Sequence, residues 1–188
     1  MKHRISICIA FFLLALSVSA EPPKSDPQHD FDYLLGDWEF TAVSKQWGTF
    51  RGTWSAVQLE EGQIVDEYRV VGDDDSTIYV TTTLRNYNER AGRWDLVGAD
   101  AGRGLQDVGW AKRMGDEIHI EQKFGVTSDH PSLWRIRYYE IGRDRFLWSA
   151  DRSLDGGKTW EKDHQKIEAR RIGPARHLPA LSSKTLSK

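Results

Sequence analysis

Short segments of alternating polar and apolar residues, joined by tight polar turns, fill nearly all of the chain after residue 30. In the first segment Trp38, Phe40 and Ala42 share one face, as the side chains of a half-buried β-strand do. Glycine, asparagine and aspartate separate the segments, as at Gly115-Asp116, where glycine accepts the positive φ of a two-residue hairpin. The pattern predicts about ten antiparallel strands and no helix longer than a turn or two.

About ten strands of this kind can close into an up-and-down barrel or split into a two-sheet sandwich. A sandwich usually needs long crossing connections, whereas nearly every connection in this chain is as short as a hairpin. Closure also removes exposed sheet edges. The sequence therefore predicts an all-β, antiparallel up-and-down barrel over residues 31–172, with a helical turn near residues 30–35 plugging one end.

The two ends of the chain differ from the predicted barrel. Residues 1–20 combine a basic start, an apolar run and small residues before Ala20, which is typical of a cleaved secretory signal. The apolar run is shorter than the roughly 20 residues of a membrane span, so an uncleaved anchor is the less favoured alternative. Residues 21–30 are predicted to be a flexible lead and residues 173–188 a disordered tail. We expect an exported protein, periplasmic or secreted, with no stable membrane span.

Several function classes lack the residues that they need. Cys8 is the only cysteine and lies in the predicted signal, so the mature chain has no disulfide, thiolate nucleophile or cysteine-bound metal. Without Lys2 and Arg4 the chain keeps 24 of its 26 basic residues against 28 acidic ones, and apart from Arg170-Arg171 no basic tract stands out, so we expect no nucleic-acid partner. The histidine spacing predicts no zinc site, and no serine lies on a nucleophile elbow.

Gly36-Asp37-Trp38, at the start of the first predicted strand, resembles the Gly-x-Trp opening of lipocalins. In that superfamily a late arginine packs over the tryptophan ring, a role that Arg170 or Arg171 would fill here. The chain is similar to a bacterial calycin-like family of unknown function. The similarity is carried by residues 31–40, residues 155–160 and Arg171. The resemblance implies a lipocalin-like barrel and no known reaction.

Residues 153–160 match the Ser-x-Asp-x-Gly-x-Thr-Trp pattern of an Asp box, as found in sialidase propellers. The box occurs once and without a repeat period, so it predicts a tight hairpin and not a glycosidase. In such a hairpin Asp155 accepts backbone N–H bonds, Gly157 takes a positive φ and Trp160 packs underneath.

His164 is the weak candidate for a cofactor. Its position late in the fold resembles that of the histidine that binds haem iron in nitrobindin-type barrels. However, Lys162, His164 and Lys166 alternate in a pattern typical of an outer, water-facing surface. We therefore expect no metal and no cofactor.

The aromatic residues predict what the barrel encloses. All eight tryptophans lie in the mature part, so they help to form the core or line a pocket. The predicted lining consists of Trp38, Phe40, Trp54, Tyr68, Trp134, Tyr138 and Trp148. Such an interior suits a small apolar or aromatic ligand held by buried area and oriented by a few polar groups.

Two alternatives remain open beside ligand binding. Asp66 and Tyr68 share a face with apolar residues, so an isomerase, cyclase or hydratase would use them as acid and base. A cell-envelope interaction module would hold no ligand. Arg135 and Arg137 either point inward, toward an anionic head group, or outward, opposite Trp134; the outward interpretation is favoured.

Overall fold

The computed structural model describes residues 26–178. Two 3-10 helices, Pro27–His29 and Asp32–Leu34, precede the sheet. Ten long strands follow: β1 Gly36–Ser44, β2 Gly48–Gln58, β3 Ile64–Val71, β4 Thr77–Asn88, β5 Arg93–Asp100, β6 Gly104–Met114, β7 Glu117–Phe124, β8 Ser132–Tyr139, β9 Arg145–Ser153 and β10 Glu161–Gly173. A two-residue strand, β11 Arg176–His177, comes last.

Each long strand pairs antiparallel with the next, and β10 pairs with β1, which closes the sheet. At the closure Trp38 lies opposite Arg171 on one side and Trp54 on the other. The predicted all-β, antiparallel up-and-down barrel is therefore confirmed. Among residues 26–178 there is no helix with the length and apolar character needed to cross a membrane.

The up-and-down order gives the barrel two different rims. Five hairpins, from β1–β2 to β9–β10, lie at one rim. The other rim carries the remaining hairpins and the two 3-10 helices that lead into β1. Within residues 26–178, the segment that leads into β1 therefore lies at the second rim.

The segment before β1 plugs that second rim. Phe31 and Leu34 are fully buried, and the Phe31 ring meets Trp94 edge-on at 5.3 Å. The Trp94 indole donates to the Pro27 carbonyl oxygen at 2.9 Å, and Arg113 Nε lies 2.5 Å from Asp30 Oδ1. Residues 26–30, the described end of the predicted flexible lead, thus contact the barrel.

Arg171 covers the same closed end. Its guanidinium carbon lies 4.1 Å from the centre of the Trp38 ring, and its terminal nitrogens donate to the Tyr33 and Leu35 carbonyl oxygens at 2.7 and 2.6 Å. Gly36 has φ +108°, and a Cβ there would lie 2.7 Å from Arg171 Nη1. The Gly-x-Trp opening and the late arginine are thus one packed unit.

The Asp-box segment forms the β9–β10 connection. Asp155 accepts the Thr159 backbone N–H at 2.9 Å and the Thr159 hydroxyl at 2.7 Å, and these bonds lower its pKa to about 2. Gly157 has φ +90°, and the Trp160 indole donates to its carbonyl oxygen at 3.0 Å. The segment makes a local turn on the barrel surface.

The structure corrects one predicted face. His164 was expected among outward side chains, but it is fully buried. The pairing of β10 with β9 shifts between Glu161 and Gln165, and Asp163 has φ +48°. This bulge breaks the strict alternation, so His164 and Gln165 are both buried.

The structure also decides the alternative left open for Arg135 and Arg137, and it places the end of the sheet later in the chain than predicted. Arg135 and Arg137 are exposed on the outer face of β8, as the favoured interpretation predicts. Strand β10 runs to Gly173, and β11 pairs with β2 inside the segment predicted as a disordered tail. The predicted signal, residues 1–20, lies outside the described residues, as does the chain after residue 178.

Candidate functional site: an amphipathic cavity inside the barrel

A cavity of about 850 Å³ occupies the barrel interior away from the plug. Its mouth is bordered by residues of the five-hairpin rim, among them Trp47, Arg103, His130 and Leu154. A volume of this size is typical of small-molecule sites in proteins.

Aromatic and branched apolar side chains form one wall of the cavity. Five of the predicted lining residues border it: Trp54, Tyr68, Trp134, Tyr138 and Trp148. Ile136, from β8, and Ile167, from β10, complete this wall.

The other two predicted lining residues lie behind that wall. Trp38 is fully buried beneath Arg171 at the closed end. Phe40 stacks on the Tyr68 ring, with 4.6 Å between centres and 12° between planes. Neither side chain borders the cavity.

Asp66, an acid–base candidate from the sequence, does line the cavity, but two donors hold it. Arg85 Nε donates to Asp66 Oδ2 at 2.6 Å, and the Trp54 indole donates to Asp66 Oδ1 at 2.8 Å. With both oxygens engaged, Asp66 is suited to positioning Arg85 and Trp54 and poorly suited to taking a proton from a ligand.

Arg85 is the partner that sequence reasoning missed. It is 2% exposed, borders the cavity and stacks over the Phe31 ring at 4.6 Å. Burial alone would lower the pKa of Arg85, but the Asp66 carboxylate raises it above its usual value, so the guanidinium stays charged. Its Nη1 atom is buried and has no hydrogen-bond partner among the described residues.

Asp107 is a second buried carboxyl group that sequence reasoning missed. It is 2% exposed, borders the cavity, and accepts a hydrogen bond from the Gln122 side-chain amide on Oδ1. Burial raises the pKa of Asp107 to about 6, an effect that Gln122 and Arg85 reduce and Asp66 reinforces. The group therefore changes charge near neutral pH.

Two strand glycines make room for the Asp107–Gln122 pair. A Cβ at Gly98 would lie 2.2 Å from Asp107 Oδ2, and a Cβ at Gly109 would lie 3.0 Å from Gln122 Cγ. A glycine inside a strand commonly marks such a close approach. Gly98 and Gly109, which interrupt β5 and β6, were therefore the available sequence signal for this site.

The strand register gathers the polar groups on one side of the barrel. Asp66 lies opposite Thr83, Thr83 opposite Gly98, and Gly98 opposite Asp107, in one row across β3 to β6. Arg85 and Gln122 belong to the next row, which also contains Leu96 and Gly109. The cavity thus has a polar wall on β3–β7, where the Tyr68 ring also lies, and an aromatic wall on β2 and β8–β10.

Buried tyrosine hydroxyls add hydrogen-bond donors. Tyr68 borders the cavity, and its buried hydroxyl has no hydrogen-bond partner among residues 26–178, although the Gln165 side chain lies nearby. Burial raises the pKa of Tyr68 above its usual value and that of Tyr138 to about 12. Both phenols are therefore neutral donors at physiological pH.

His164 does not fit the haem role that its position along the fold suggested. It is not among the residues that border the cavity, and its ring packs against Trp134 at 5.2 Å and Trp47 at 6.4 Å. Nδ1 is bonded to Glu161 at 2.7 Å, while the buried Nε2 has no partner in the described chain. In residues 26–178 no group of three or more metal-binding side chains is assembled.

Comparisons with known proteins support the fold. No family model matches the chain, and no curated protein matches it. The chain is similar to the crystal structure of Rv2717c from M. tuberculosis, with a TM-score of 0.54 and 18% identity over 78% of this chain and 98% of that chain. At this identity the similarity shows a lipocalin-like β-barrel fold. The structure of EF1p2_mFAP2b bound to DFHBI aligns with a TM-score of 0.36 and 14% identity, covering 78% of this chain and all of that one.

Proposed function

We propose that this chain is an exported, lipocalin-like member of the calycin superfamily that binds a small, largely apolar or aromatic molecule inside its barrel. The observation that carries the proposal is the cavity of about 850 Å³, plugged at one rim and walled by Trp54, Trp134 and Trp148. Burying an aromatic system of about 200 Å² contributes about 5 kcal/mol before the cost of association is subtracted.

Native mass spectrometry of the freshly purified, exported protein tests ligand binding. The expected result is a retained small molecule that dissociates on collisional activation. Leu96 borders the cavity, whereas its neighbour Val97 is 44% exposed on the outer face. L96W should therefore abolish the retained species and V97W should keep it. Wild-type protein that carries no ligand and binds none of a panel of bicyclic aromatics would overturn the proposal.

Export is tested separately from binding. N-terminal sequencing of the protein recovered from the periplasm or medium should begin at Glu21, directly after the predicted cleavage site. Recovery of a chain that still begins with Met1 would contradict export by a cleaved signal.

Proton-transfer catalysis is the second candidate function, because of Asp107. A buried carboxyl group with a pKa of about 6, in a cavity with neutral phenol donors, is suited to removing a proton next to a carbonyl group. The proton would pass to Asp107 and return to the carbon skeleton. Deuterium exchange of 2-tetralone in D₂O, followed by NMR, should be faster with wild-type protein than with D107N. Equal rates would exclude this function for Asp107.

A further inference from the structure

Asp107 is a buried carboxyl group that is in contact with the contents of the cavity. It is 2% exposed and borders the cavity from β6. Gln122 donates to its Oδ1, and no other side chain in residues 26–178 donates a hydrogen bond to it. Asp66, the second carboxyl group on the cavity wall, differs because each of its oxygens has a donor. The solvation of Asp107 therefore depends on what fills the cavity.

An apolar ligand changes the surroundings of Asp107. The cavity of about 850 Å³ opens at the five-hairpin rim, and a polar cavity of this size admits water when no ligand is bound. An apolar or aromatic body replaces that water and supplies neither a charge nor a hydrogen bond. Loss of water disfavours an ionised carboxyl group, so the ligand raises the pKa of Asp107 further than burial in the barrel already does. Ligand binding and protonation of Asp107 therefore favour each other.

The neighbours of Asp107 do not offset this effect. The titratable and charged groups around it are Asp66 on β3, Tyr79 and Arg85 on β4, Asp100 at the end of β5, and Arg103 in the β5–β6 turn. Arginine side chains keep their charge at all pH values from 5 to 8, and burial raises the pKa of Tyr79, so its phenol stays neutral. Asp100 does not border the cavity. Asp107 is therefore the carboxyl group whose ionisation a ligand changes most.

Two histidines near the cavity would give the opposite pH dependence. His130 is exposed at the mouth, and His164 is buried against Trp134, where burial lowers its pKa. An apolar ligand disfavours a charged imidazole, so protonation of either histidine weakens binding at low pH. Arg152, at the same mouth, is bonded to Gln46 and Glu161 and does not titrate in this range. The sign of the pH dependence therefore distinguishes Asp107 from the histidines.

We propose that ligand binding is coupled to proton uptake by Asp107, so that the protein holds an uncharged apolar or aromatic molecule under mildly acidic conditions and releases it as the pH rises above neutral. This inference rests on the proposed ligand-binding function and adds the regulation of that site. Affinity is highest below about pH 6, where Asp107 is protonated with and without ligand. It falls as the pH rises through this value and levels off where Asp107 is ionised in both states.

Fluorescence titration of the mature protein with N-phenyl-1-naphthylamine at pH 5, 6.5 and 8 tests the coupling. This probe is uncharged over the whole range, so its own ionisation does not contribute. Each unit by which the probe raises the pKa of Asp107 weakens binding to the ionised protein about tenfold, and we expect Kd to be about fivefold or more higher at pH 8 than at pH 5. Calorimetry at pH 6.5 in phosphate and in Bis-Tris, which differ in ionisation enthalpy, should show uptake of about half a proton on binding.

One variant and two matched controls assign the proton. D107N keeps an oxygen for the Gln122 amide but does not ionise, so its Kd should be the same at pH 5 and pH 8 and close to the wild-type value at pH 5. H130Q removes the histidine at the mouth, and D129N removes an exposed carboxyl group beside it. Both should keep the wild-type ratio of the two Kd values. Proton uptake is measured on the wild-type protein, so this part of the test does not depend on the folding of a variant.

The outcomes separate this inference from the proposed function. Equal wild-type affinity at pH 5 and pH 8, tighter binding at pH 8, or no proton uptake would overturn the inference and leave ligand binding in place. A pH dependence that persists in D107N would overturn the assignment to Asp107, and its loss in H130Q would place it at the mouth. No binding of the probe at any of the three pH values would overturn the inference. If native mass spectrometry also finds no retained ligand, the proposed function is overturned with it.

Discussion

Arg85 Nε and Asp66 Oδ2 lie 2.6 Å apart in an ion pair whose side chains are only 3% and 1% exposed. The pair joins β3 to β4 inside the barrel, with the Trp54 indole on the second Asp66 oxygen and the Phe31 ring under the guanidinium. It therefore links the plug, the aromatic wall and the polar wall. Such a pair is costly to break because the remaining charge stays buried.

R85M should destabilise the protein by about 3–5 kcal/mol, because it leaves the Asp66 carboxylate buried without its cation. The D66N/R85M double variant should regain part of that loss, since no unpaired charge remains. Urea denaturation measures both effects. R51M is the matched control: its ion pair with Asp75 is exposed, with 50% and 82% of the side chains accessible, so we expect a loss below about 1 kcal/mol. Similar losses for R85M and R51M would show that burial does not set the cost.

G98A should destabilise the protein by about 1–3 kcal/mol through overpacking. The added Cβ would lie 2.2 Å from Asp107 Oδ2, so the carboxyl group or the strand must shift. At Gly102 the nearest atom to an added Cβ is Asp100 Oδ1 at 3.6 Å, which makes G102A the matched control with little effect on stability. Thermal unfolding of both variants compares them directly, and equal melting temperatures would contradict the close-packing explanation.

The barrel itself was predictable because its signals are local. Alternation and turn residues gave β7 its observed limits, Glu117–Phe124, and the short hairpins favoured a closed meander. The bulge at Asp163 was not predictable in this way, since a single positive φ leaves the sequence pattern of β10 looking regular. His164 was consequently assigned to the wrong face.

The polar wall was harder to predict than the aromatic wall. Indole rings were sound predictions for the interior because large aromatic groups gain most from burial. Arg85 and Asp107 are types of residue that are almost never fully buried without a partner, and their partners come from other strands. Only the register, which places Gly98 opposite Asp107, shows that these side chains share a wall.

R171M should lower the melting temperature more than R170M does, although the two arginines are adjacent. Arg171 stacks on Trp38 and donates to the carbonyl oxygens of Tyr33 and Leu35, so its loss should cost about 2 kcal/mol or more, or about 4–8 °C. The Arg170 side chain is 67% exposed and bonds to Glu168, so R170M should change stability by less than about 0.5 kcal/mol. Thermal unfolding followed by circular dichroism measures the melting temperature of each variant. Equal shifts for R171M and R170M would show that the Arg171 contacts at the closed end contribute little to stability.

D107N should make the protein more stable than the wild type at pH 8 but not at pH 4. Folding raises the pKa of Asp107 from 3.8 to about 6, so between these values the unfolded chain loses its proton while the folded chain keeps it. Wild-type stability therefore falls by up to about 3 kcal/mol as the pH rises from about 4 to about 6, and it stays lower above pH 6.

The asparagine of D107N keeps an oxygen for the Gln122 amide and has no charge to desolvate, so this loss should disappear. The groups that act on Asp107 are Asp66, Tyr79, Arg85 and Gln122, and all four remain in the variant. Urea denaturation at pH 4, 6 and 8 measures the difference, with D129N in the exposed β7–β8 loop as the control. A constant difference between D107N and wild type at all three pH values would contradict burial as the cause of the raised pKa, because only a group that titrates in this range gives a difference that grows from pH 4 to pH 6 and then levels off.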